Sequence, residues 1–469
     1  MAALAFHAAS KADGIDPTDE RNEMRIAIIG TGYVGLVTGA CFSEIGHTVI
    51  CQDSDTSKID ILQNGDMPIY EPYLEYLVKK NKDAGRISFT KDFANAVKPS
   101  EVVFICVGTP PLENGEADLS AVEAVSREIA RVSDSYKLVA EKSTVPVQTG
   151  EWVEKTIRIY SSTNNEFDVA SNPEFLREGS AVEDFLHPDR IVAGIKNGRA
   201  EKILRDLYTP IIHRQFNCPV HGTCPSVEPI PFIVTDIKSA ELIKHASNSL
   251  LATKISFINA VADICEKTGA NIKDVAHGIG LDKRIGKSFL EAGIGFGGFC
   301  FPKDLQAFIR IAEKSGYNFG LLKEVEKINN ERVSLVIKKI RQTLWVLKGK
   351  TIGILGLSFK PNTDDIRFAP ALEIIRQLLK EGATIRAYDE QAMKKAKAQI
   401  PAVIYCADPY EVARGAECLV VCTEWDEFRN LNFEELKGLM KRPFILDGRN
   451  IFTKQKILNM GFEYQGIGM

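Results

Sequence analysis

The sequence predicts an α/β protein with two doubly wound, Rossmann-like domains joined by a long central helix. Three observations carry that expectation. A glycine-rich turn, Gly30-Thr-Gly-Tyr-Val-Gly35, follows the apolar run Arg25 to Ile29 and opens a helical segment. Residues 237 to 268 contain few helix breakers. A second alternation of strand-sized apolar runs and helical stretches begins after Lys348.

Taken in order, residues 1–23 turn polar by Lys11-Ala-Asp-Gly-Ile-Asp16 and lack an apolar core behind a basic start. They read as a flexible extension rather than a secretory signal. Arg25 to Gly30 is the first strand, and the helix after Gly32 runs through Val34, Val37, Ala40 and Cys41 to Gly46. Thr48-Val-Ile-Cys-Gln-Asp53 completes a strand-helix-strand unit. Further strands are expected at Glu101 to Val107, Lys137 to Lys142, Phe167 to Ser171 and Arg190 to Gly194. In the central helix, Ala240, Ile243, Ala246, Leu250, Lys254, Phe257, Ala260 and Ile264 recur near helical spacing. Another helical stretch covers Asp304 to Leu344. Strands then return at Lys348 to Gly356, Ala383 to Asp389, Glu417 to Thr423 and Pro443 to Asp447. The expected domains are 24–235 for a dinucleotide, 236–335 for the helical centre and 336–469 for the second ligand-binding unit, with a cleft between the outer two.

Composition narrows the function classes. The chain has 469 residues, 45% hydrophobic and 26% charged, with a net charge of -4, which describes a soluble protein without a basic field for nucleic acid or anionic membrane. Its apolar runs are too short to span a bilayer. Several of the ten cysteines, among them Cys106, Cys418 and Cys422, sit inside apolar strands and read as buried thiols of a reducing, cytoplasmic compartment. Cys218, His221 and Cys224 share a polar, Pro-rich stretch with His213, but their spacing matches no common zinc finger or ribbon, so no metal is expected.

The turn at Gly30, Gly32 and Gly35 has the context in which glycines allow a tight turn and close approach to pyrophosphate. Asp53 ends the next strand, where a carboxylate bonds the adenosine ribose and repels a 2'-phosphate. That favours NAD over NADP. Far downstream, Cys300 follows Gly293, Gly295, Gly297 and Gly298 and precedes Lys303 and Asp304. The glycines keep side chains away from a ligand, and neighbouring positive charge favours thiolate. A cofactor oxidises an alcohol without a nucleophile, but aldehyde oxidation to an acid needs one. Cysteine supplies it through a thiohemiacetal and a thioester, so the pairing points to a four-electron oxidation. Lys244 and Asn248 share a face of the central helix, a spacing usual for a solvated stripe. Glu174 and Glu178 do the same if a helix starts at Pro173 with Asn172 as cap.

Separated motifs over residues 24 to 455 resemble the nucleotide-sugar dehydrogenase family. They are Gly30-Thr-Gly-Tyr-Val-Gly-Leu36, Val107-Gly-Thr-Pro110, Glu141-Lys-Ser-Thr-Val-Pro146, Ser171-Asn-Pro-Glu-Phe-Leu176, Phe296-Gly-Gly-Phe-Cys-Phe-Pro-Lys-Asp304, Asn362-Thr-Asp-Asp-Ile-Arg367 and Asp447-Gly-Arg449. Lys244 with Asn248, and Phe359 with Lys360, complete the set. The resemblance implies NAD-dependent oxidation of UDP-glucose to UDP-glucuronate, with GDP-mannose or a UDP-N-acetylhexosamine as the alternative substrate. It implies a homodimer or higher homo-oligomer around the long helix. It makes Cys300 the nucleophile, Lys244 the oxyanion partner and Asp304 the group coupled to the hydrolytic water, with Thr144, Glu174 and Asn248 completing the hydrogen bonds.

On the cofactor side the resemblance places Gly30, Thr31, Gly32, Tyr33, Val34, Gly35, Asp53, Lys58, Thr109, Thr144, Glu178, Lys303 and Arg367. On the substrate side it places Glu174, Phe175, Leu176, Lys244, Asn248, Phe289, Gly295, Gly297, Phe359, Lys360 and Arg449, with Arg284 reaching in from the partner subunit. Three features depart from the family pattern. They are Phe299 where a small serine is usual, Phe368-Ala-Pro370 after Arg367, and the Cys-Pro-His stretch from Arg214 to Pro231, which looks inserted. Two other classes fit less of the chain. A one-step hydroxy-acid dehydrogenase needs neither Cys300 nor the second alternating domain, and a dinucleotide-binding redox module leaves the catalytic positions unexplained.

Overall fold

A computed structural model describes residues 23–161, 165–221 and 228–469. The extension expected at 1–23, apart from Glu23, and Cys224 lie outside the described residues.

The N-terminal strands are β1 (Arg25–Ile29), β2 (Thr48–Gln52), β3 (Ile87–Thr90), β4 (Val102–Ile105), β5 (Lys137–Glu141), β6 (Phe167–Ser171), β7 (Ile191–Gly194) and β8 (Phe232–Thr235). They form one sheet in the order β3-β2-β1-β4-β5-β6-β7-β8. Strands β1 to β6 are parallel, and β7 meets β6 antiparallel through Ser171 and Gly194. The order reverses between β1 and β4, the crevice where doubly wound sheets receive ligands. Strands β3 and β8 have no counterpart in the sequence reading, because both are four-residue edge strands whose short runs give almost no periodic signal.

The C-terminal strands β9 (Thr351–Leu355), β10 (Thr384–Tyr388), β11 (Ile404–Tyr405), β12 (Cys418–Val421), β13 (Phe444–Asp447) and β14 (Glu463–Gln465) make the second sheet, all parallel, in the order β11-β10-β9-β12-β13-β14. Its switch point lies between β9 and β12. Strand interiors such as Ile26 to Ile28 and Val102 to Ile105 are fully buried, as parallel strands covered on both faces must be. Cys106, Cys418 and Cys422 are buried free thiols.

One helix, Ile237–Thr268, links the two halves. Asp236 caps it by accepting from the Ser239 amide at 2.9 Å, and Gly269, at φ 79°, closes it in the left-handed conformation that glycine tolerates best. Its orientation differs from the apolar pattern. Leu250, Phe257 and Ile264 are exposed, while Glu241, Lys244, His245, Asn248 and Asn259 are buried. The periodicity located the helix correctly, but its buried face mixes these polar groups with Ile237, Ala240, Ala252, Ile258, Ala262 and Cys265. The stretch from Asp304 to Leu344 is two helices, Cys300–Lys314 and Gly320–Leu344, separated where Gly316 adopts φ 79°. Among the described residues, no helix is long and apolar enough to cross a membrane.

Candidate active site

Cys300 is the first residue of the Cys300–Lys314 helix, and two turns of the central helix face it across a cleft. The cleft, of about 650 Å³, is lined by Glu174, Phe175, Leu176, Lys244, Asn248, Phe289 and Cys300 together with Lys142 and Arg190. Lys244 is only 3% exposed and pairs with Glu174 at 3.0 Å; Asn248 donates to Asp304 Oδ2 at 2.6 Å. The helical spacing of Lys244 and Asn248 therefore marks a buried polar face lining the cleft, not a solvated stripe.

Four carboxylates and cations set the electrostatics. Burial pulls the Lys244 ammonium down, but Glu174, Asp304 and Cys300 outweigh it and hold the ammonium above the ordinary lysine value. Burial would raise Asp304, yet Lys303, His245 and Lys244 keep its carboxyl below the usual range, and Lys303 Nζ lies 2.7 Å from Oδ1. Burial pushes the Cys300 thiol up to about 12, with Asp304 and Glu174 adding to the rise and Lys244 opposing it. The expectation of a thiolate favoured by nearby charge is thus overturned. Lys303, the adjacent cation, is directed to Asp304 and to the Thr109 hydroxyl at 3.2 Å, so carboxylates dominate around the sulfur.

The segment after β6 also departs from its reading. No helix starts at Pro173: residues 172–177 are irregular, and the next helix is Ala181–Leu186. Asn172 is no cap, because its Oδ1 accepts from Lys142 Nζ at 3.0 Å and from the Tyr208 hydroxyl at 2.7 Å. Glu174 and Glu178 consequently diverge. Glu174 turns to Lys244, while Glu178 meets Arg367 at 3.3 Å, and burial with Asp365 alongside lifts its carboxyl to about 8 against the pull of Arg367.

The glycines before Cys300 make room for protein rather than for ligand. A Cβ on Gly298, where φ is +76°, would lie 2.8 Å from the Phe359 ring, one on Gly293 would lie 2.8 Å from Gly448 O, and one on Gly295 would lie 2.7 Å from Asn329 Oδ1. Arg449 fastens this loop to the C-terminal sheet, donating to Gly295 O at 3.0 Å, Phe359 O at 3.2 Å and Cys422 O at 2.8 Å. Phe359 and Arg449 thus pack against the loop that holds Gly295 and Gly297, and none of these four residues, nor Lys360, lines the cleft around Cys300. Arg284 is exposed and bonded to Asp282 of its own chain, so within one chain it does not join the site.

At the switch point of the first sheet, Gly30 adopts φ +100° and a Cβ there would sit 2.7 Å from Cys106 O. Gly32 has nothing within 4 Å of its would-be Cβ, and the Tyr33–Glu44 helix that holds Tyr33, Val34 and Gly35 has no side-chain cap, which leaves its first amides open to an anion. Asp53 accepts from Thr31 N at 2.7 Å and Thr31 Oγ1 at 2.9 Å and has Lys58 at 3.6 Å. These residues fit a dinucleotide. Thr109 donates to Thr144 O at 2.9 Å, which connects this crevice through Lys303 to Asp304.

Matches to three models of the UDP-glucose/GDP-mannose dehydrogenase family run along the chain: the NAD binding domain over residues 24–212, the central domain over 238–331 and the UDP binding domain over 353–454. The chain belongs to this family. It is 45% identical over 445 residues to UDP-glucose 6-dehydrogenase TuaD of Bacillus subtilis, covering 95% of this chain and 93% of that one. It is 46% identical over 451 residues to UDP-glucose 6-dehydrogenase of Rhizobium meliloti, covering 95% and 99%. Among solved structures, a UDP-glucose dehydrogenase from Pyrobaculum islandicum superposes with a TM-score of 0.87 at 37% identity, covering 97% of this chain and 100% of that one. A UDP-D-ManNAc dehydrogenase from Pyrococcus horikoshii gives 0.81 at 26% identity, covering 95% and 99%. The cofactor of the N-terminal domain is NAD.

Several site residues escaped the sequence reading. Lys142 lies within a quoted motif yet was given no role; burial lowers its ammonium to about 8, and it forms part of the cleft wall. Glu71 accepts from Gly179 N at 2.6 Å and Ala181 N at 2.7 Å and bonds the Tyr33 hydroxyl, which joins the glycine-rich turn to the segment carrying Glu174 and Glu178. No local signal announces such a residue, because its partners are 38 to 110 positions away. Phe299 does not narrow the cleft. Its ring packs under the Arg367 guanidinium at 4.5 Å and lies 5.6 Å from Lys303 Nζ. Arg367 itself is held by Asp365 at 2.7 Å.

Proposed function

We propose that this chain oxidises UDP-glucose at C6 to UDP-glucuronate, with two NAD consumed and one water added per sugar. The carrying observation is that Cys300, Lys244 and Asn248 line one cleft, with the buried Asp304 bonded to Asn248 behind them. The names of the relatives, all UDP-glucose 6-dehydrogenases at 43–46% identity, support the substrate. When bound, NAD supplies the acceptor for the hydride that leaves the sugar carbon.

Burial and the neighbouring carboxylates favour the Cys300 thiol over the thiolate, so addition to the aldehyde passes the thiol proton on to the carbonyl oxygen after the C–S bond begins to form, giving a thiohemiacetal. Lys244, kept charged by Glu174, stabilises the oxygen as negative charge develops. Hydride loss, with the hydroxyl proton passing to solvent, leaves a thioester that water attacks. Asp304, held as a carboxylate, accepts a hydrogen bond from that water, and Asn248 fixes Asp304 in place. Hydrolysis returns the proton to sulfur and frees the acid.

We assign residues 24–235 to NAD binding, 236–335 to the helical centre and 336–469 to UDP-sugar binding, in keeping with the family matches. The exposed Leu250, Phe257 and Ile264, spaced seven apart on one helix, support a homodimer through paired central helices. Arg284 then enters the partner's nucleotide site. The free, buried cysteines support a cytoplasmic location. The test is the NADH formed per UDP-glucose consumed at completion, with GDP-mannose and UDP-N-acetylhexosamines run in parallel. A ratio near two on UDP-glucose is expected; a ratio near one, or turnover only with another sugar nucleotide, overturns the assignment.

A further inference from the structure

At one edge of the cleft, away from Cys300, three metal-ligating side chains from two separate segments meet. His187 ends the Ala181–Leu186 helix, and Cys218 and His221 belong to the stretch that looked inserted. His187 Nε2 lies 3.1 Å from Cys218 Sγ, and Cys218 Sγ lies 3.7 Å from His221 Nδ1. The three ligand atoms all fall within 4.8 Å of one another. We propose that His187, Cys218 and His221 form a binding site for a borderline-soft divalent ion of the zinc class, with a fourth position left for water.

Tetrahedral zinc with ~2.1 Å bonds to nitrogen and ~2.3 Å to sulfur sets nitrogen-sulfur separations near ~3.6 Å. The two observed values, 3.1 and 3.7 Å, bracket that figure. One thiolate and two imidazoles are a donor set that selects zinc over magnesium or calcium. The surroundings supply an orienting group as well. Glu183 Oε1 lies 3.2 Å from His221 Nε2, which fixes the tautomer that leaves Nδ1 free for the ion, the carboxylate-histidine arrangement common behind zinc.

Arg214 makes one demand on the site. Its Nη1 lies 3.1 Å from His187 Nδ1, so in this state the ring carries its proton on Nε2, toward sulfur. Ion binding at Nε2 moves that proton to Nδ1 and displaces the guanidinium, which retains its bond to Glu228 O at 3.0 Å. The Cys218 thiol loses its proton to solvent, so one proton is released per ion bound. The bound ion would staple residues 214–221 to the helix end. His187 and Glu183 are walls of the same cleft as Cys300, so the staple would hold the cleft's edge. The sequence expectation of no metal arose because His187 is about thirty positions from its partners, outside any spacing motif.

The proposal is independent of the oxidation chemistry, and its test reads metal, not turnover. The full chain with Cys300→Ser, which removes the other cleft thiol, is stripped with chelator, exposed to micromolar Zn²⁺, freed of excess and analysed for zinc by mass spectrometry. About one zinc per chain is expected, falling at least tenfold on Cys218→Ser or His221→Ala. Co²⁺ in place of Zn²⁺ should give a sulfur-to-cobalt charge-transfer band in the Cys300→Ser chain, a readout that does not depend on either ligand variant folding. No retained zinc, no such band, zinc unchanged by Cys218→Ser, or Cys218 found in a disulfide in protein purified without reductant would each overturn the assignment.

Discussion

Asp304→Asn separates the two duties assigned to the buried carboxylate. Asp304 raises the Cys300 thiol, which stands at about 12, and it is also the acceptor for the hydrolytic water. Removing its charge while keeping its shape should therefore move two rates in opposite directions. If the carboxylate accounts for about one pKa unit at sulfur, worth ~1.4 kcal/mol, the thiolate fraction at pH 8 and the rate of iodoacetamide alkylation rise about tenfold. Thioester hydrolysis, deprived of its base, slows by about 10²-fold or more, and a covalent sugar-enzyme adduct accumulates. Asp304 is fully buried and Lys303 is left without its 2.7 Å partner, so a stability loss of about 3 kcal/mol is expected, with Thr109 retaining part of the hold on Lys303. The assays are alkylation kinetics followed by intact mass, single-turnover product release, and a thermal melt that confirms folding. Unchanged or slower alkylation in a folded variant would refute the electrostatic account. Unchanged acid release would refute the role in hydrolysis.

Four further outcomes follow from the geometry. Cys300→Ala should abolish UDP-glucuronate formation, and full retention of product, measured by chromatography, would exclude the covalent route. Asp53→Ala removes the acceptor of two Thr31 bonds and should weaken NAD by about 10- to 100-fold in a fluorescence titration, in line with ~1.5–3 kcal/mol for charge-assisted bonds. Phe299→Ser removes the ring under Arg367, so the KM for NAD should change while that for UDP-glucose stays within about twofold; the reverse pattern in steady-state kinetics would place the ring in the sugar pocket. Glu178 is held at about 8, above its unfolded value, so it favours the fold when protonated and that contribution is lost as pH rises through 8. Glu178→Gln should therefore raise the melting temperature of the cofactor-free protein more at pH 8.5 than at pH 5, and an equal effect at both would contradict the assigned shift.

The sequence by itself determined the longer elements and pointed to the candidate chemistry. Gly30, Gly32, Gly35 and Asp53 are local features of one strand-helix-strand unit, and the resemblance named Cys300, Lys244, Asn248 and Asp304. The central helix was legible for the same reason: few breakers and a repeat near 3.6 are properties of neighbouring residues. Tertiary structure alone decided which face of that helix is buried. The segments carrying Glu174 and Asp304 close around Lys244 and Asn248, while Leu250, Phe257 and Ile264, the residues that made the periodic signal, remain exposed. It also decided the ionisation of the site, since desolvation and the carboxylates around Cys300 come from helices, strands and loops far apart in the chain. Glu174 shows the same limit. Its spacing from Glu178 suggested a shared helix face, but Asn172 is taken by Lys142 and Tyr208, so the cap is lost and the two carboxylates part toward Lys244 and Arg367. Local spacing encodes an element; the partner of a charge is chosen only when distant segments exclude water together.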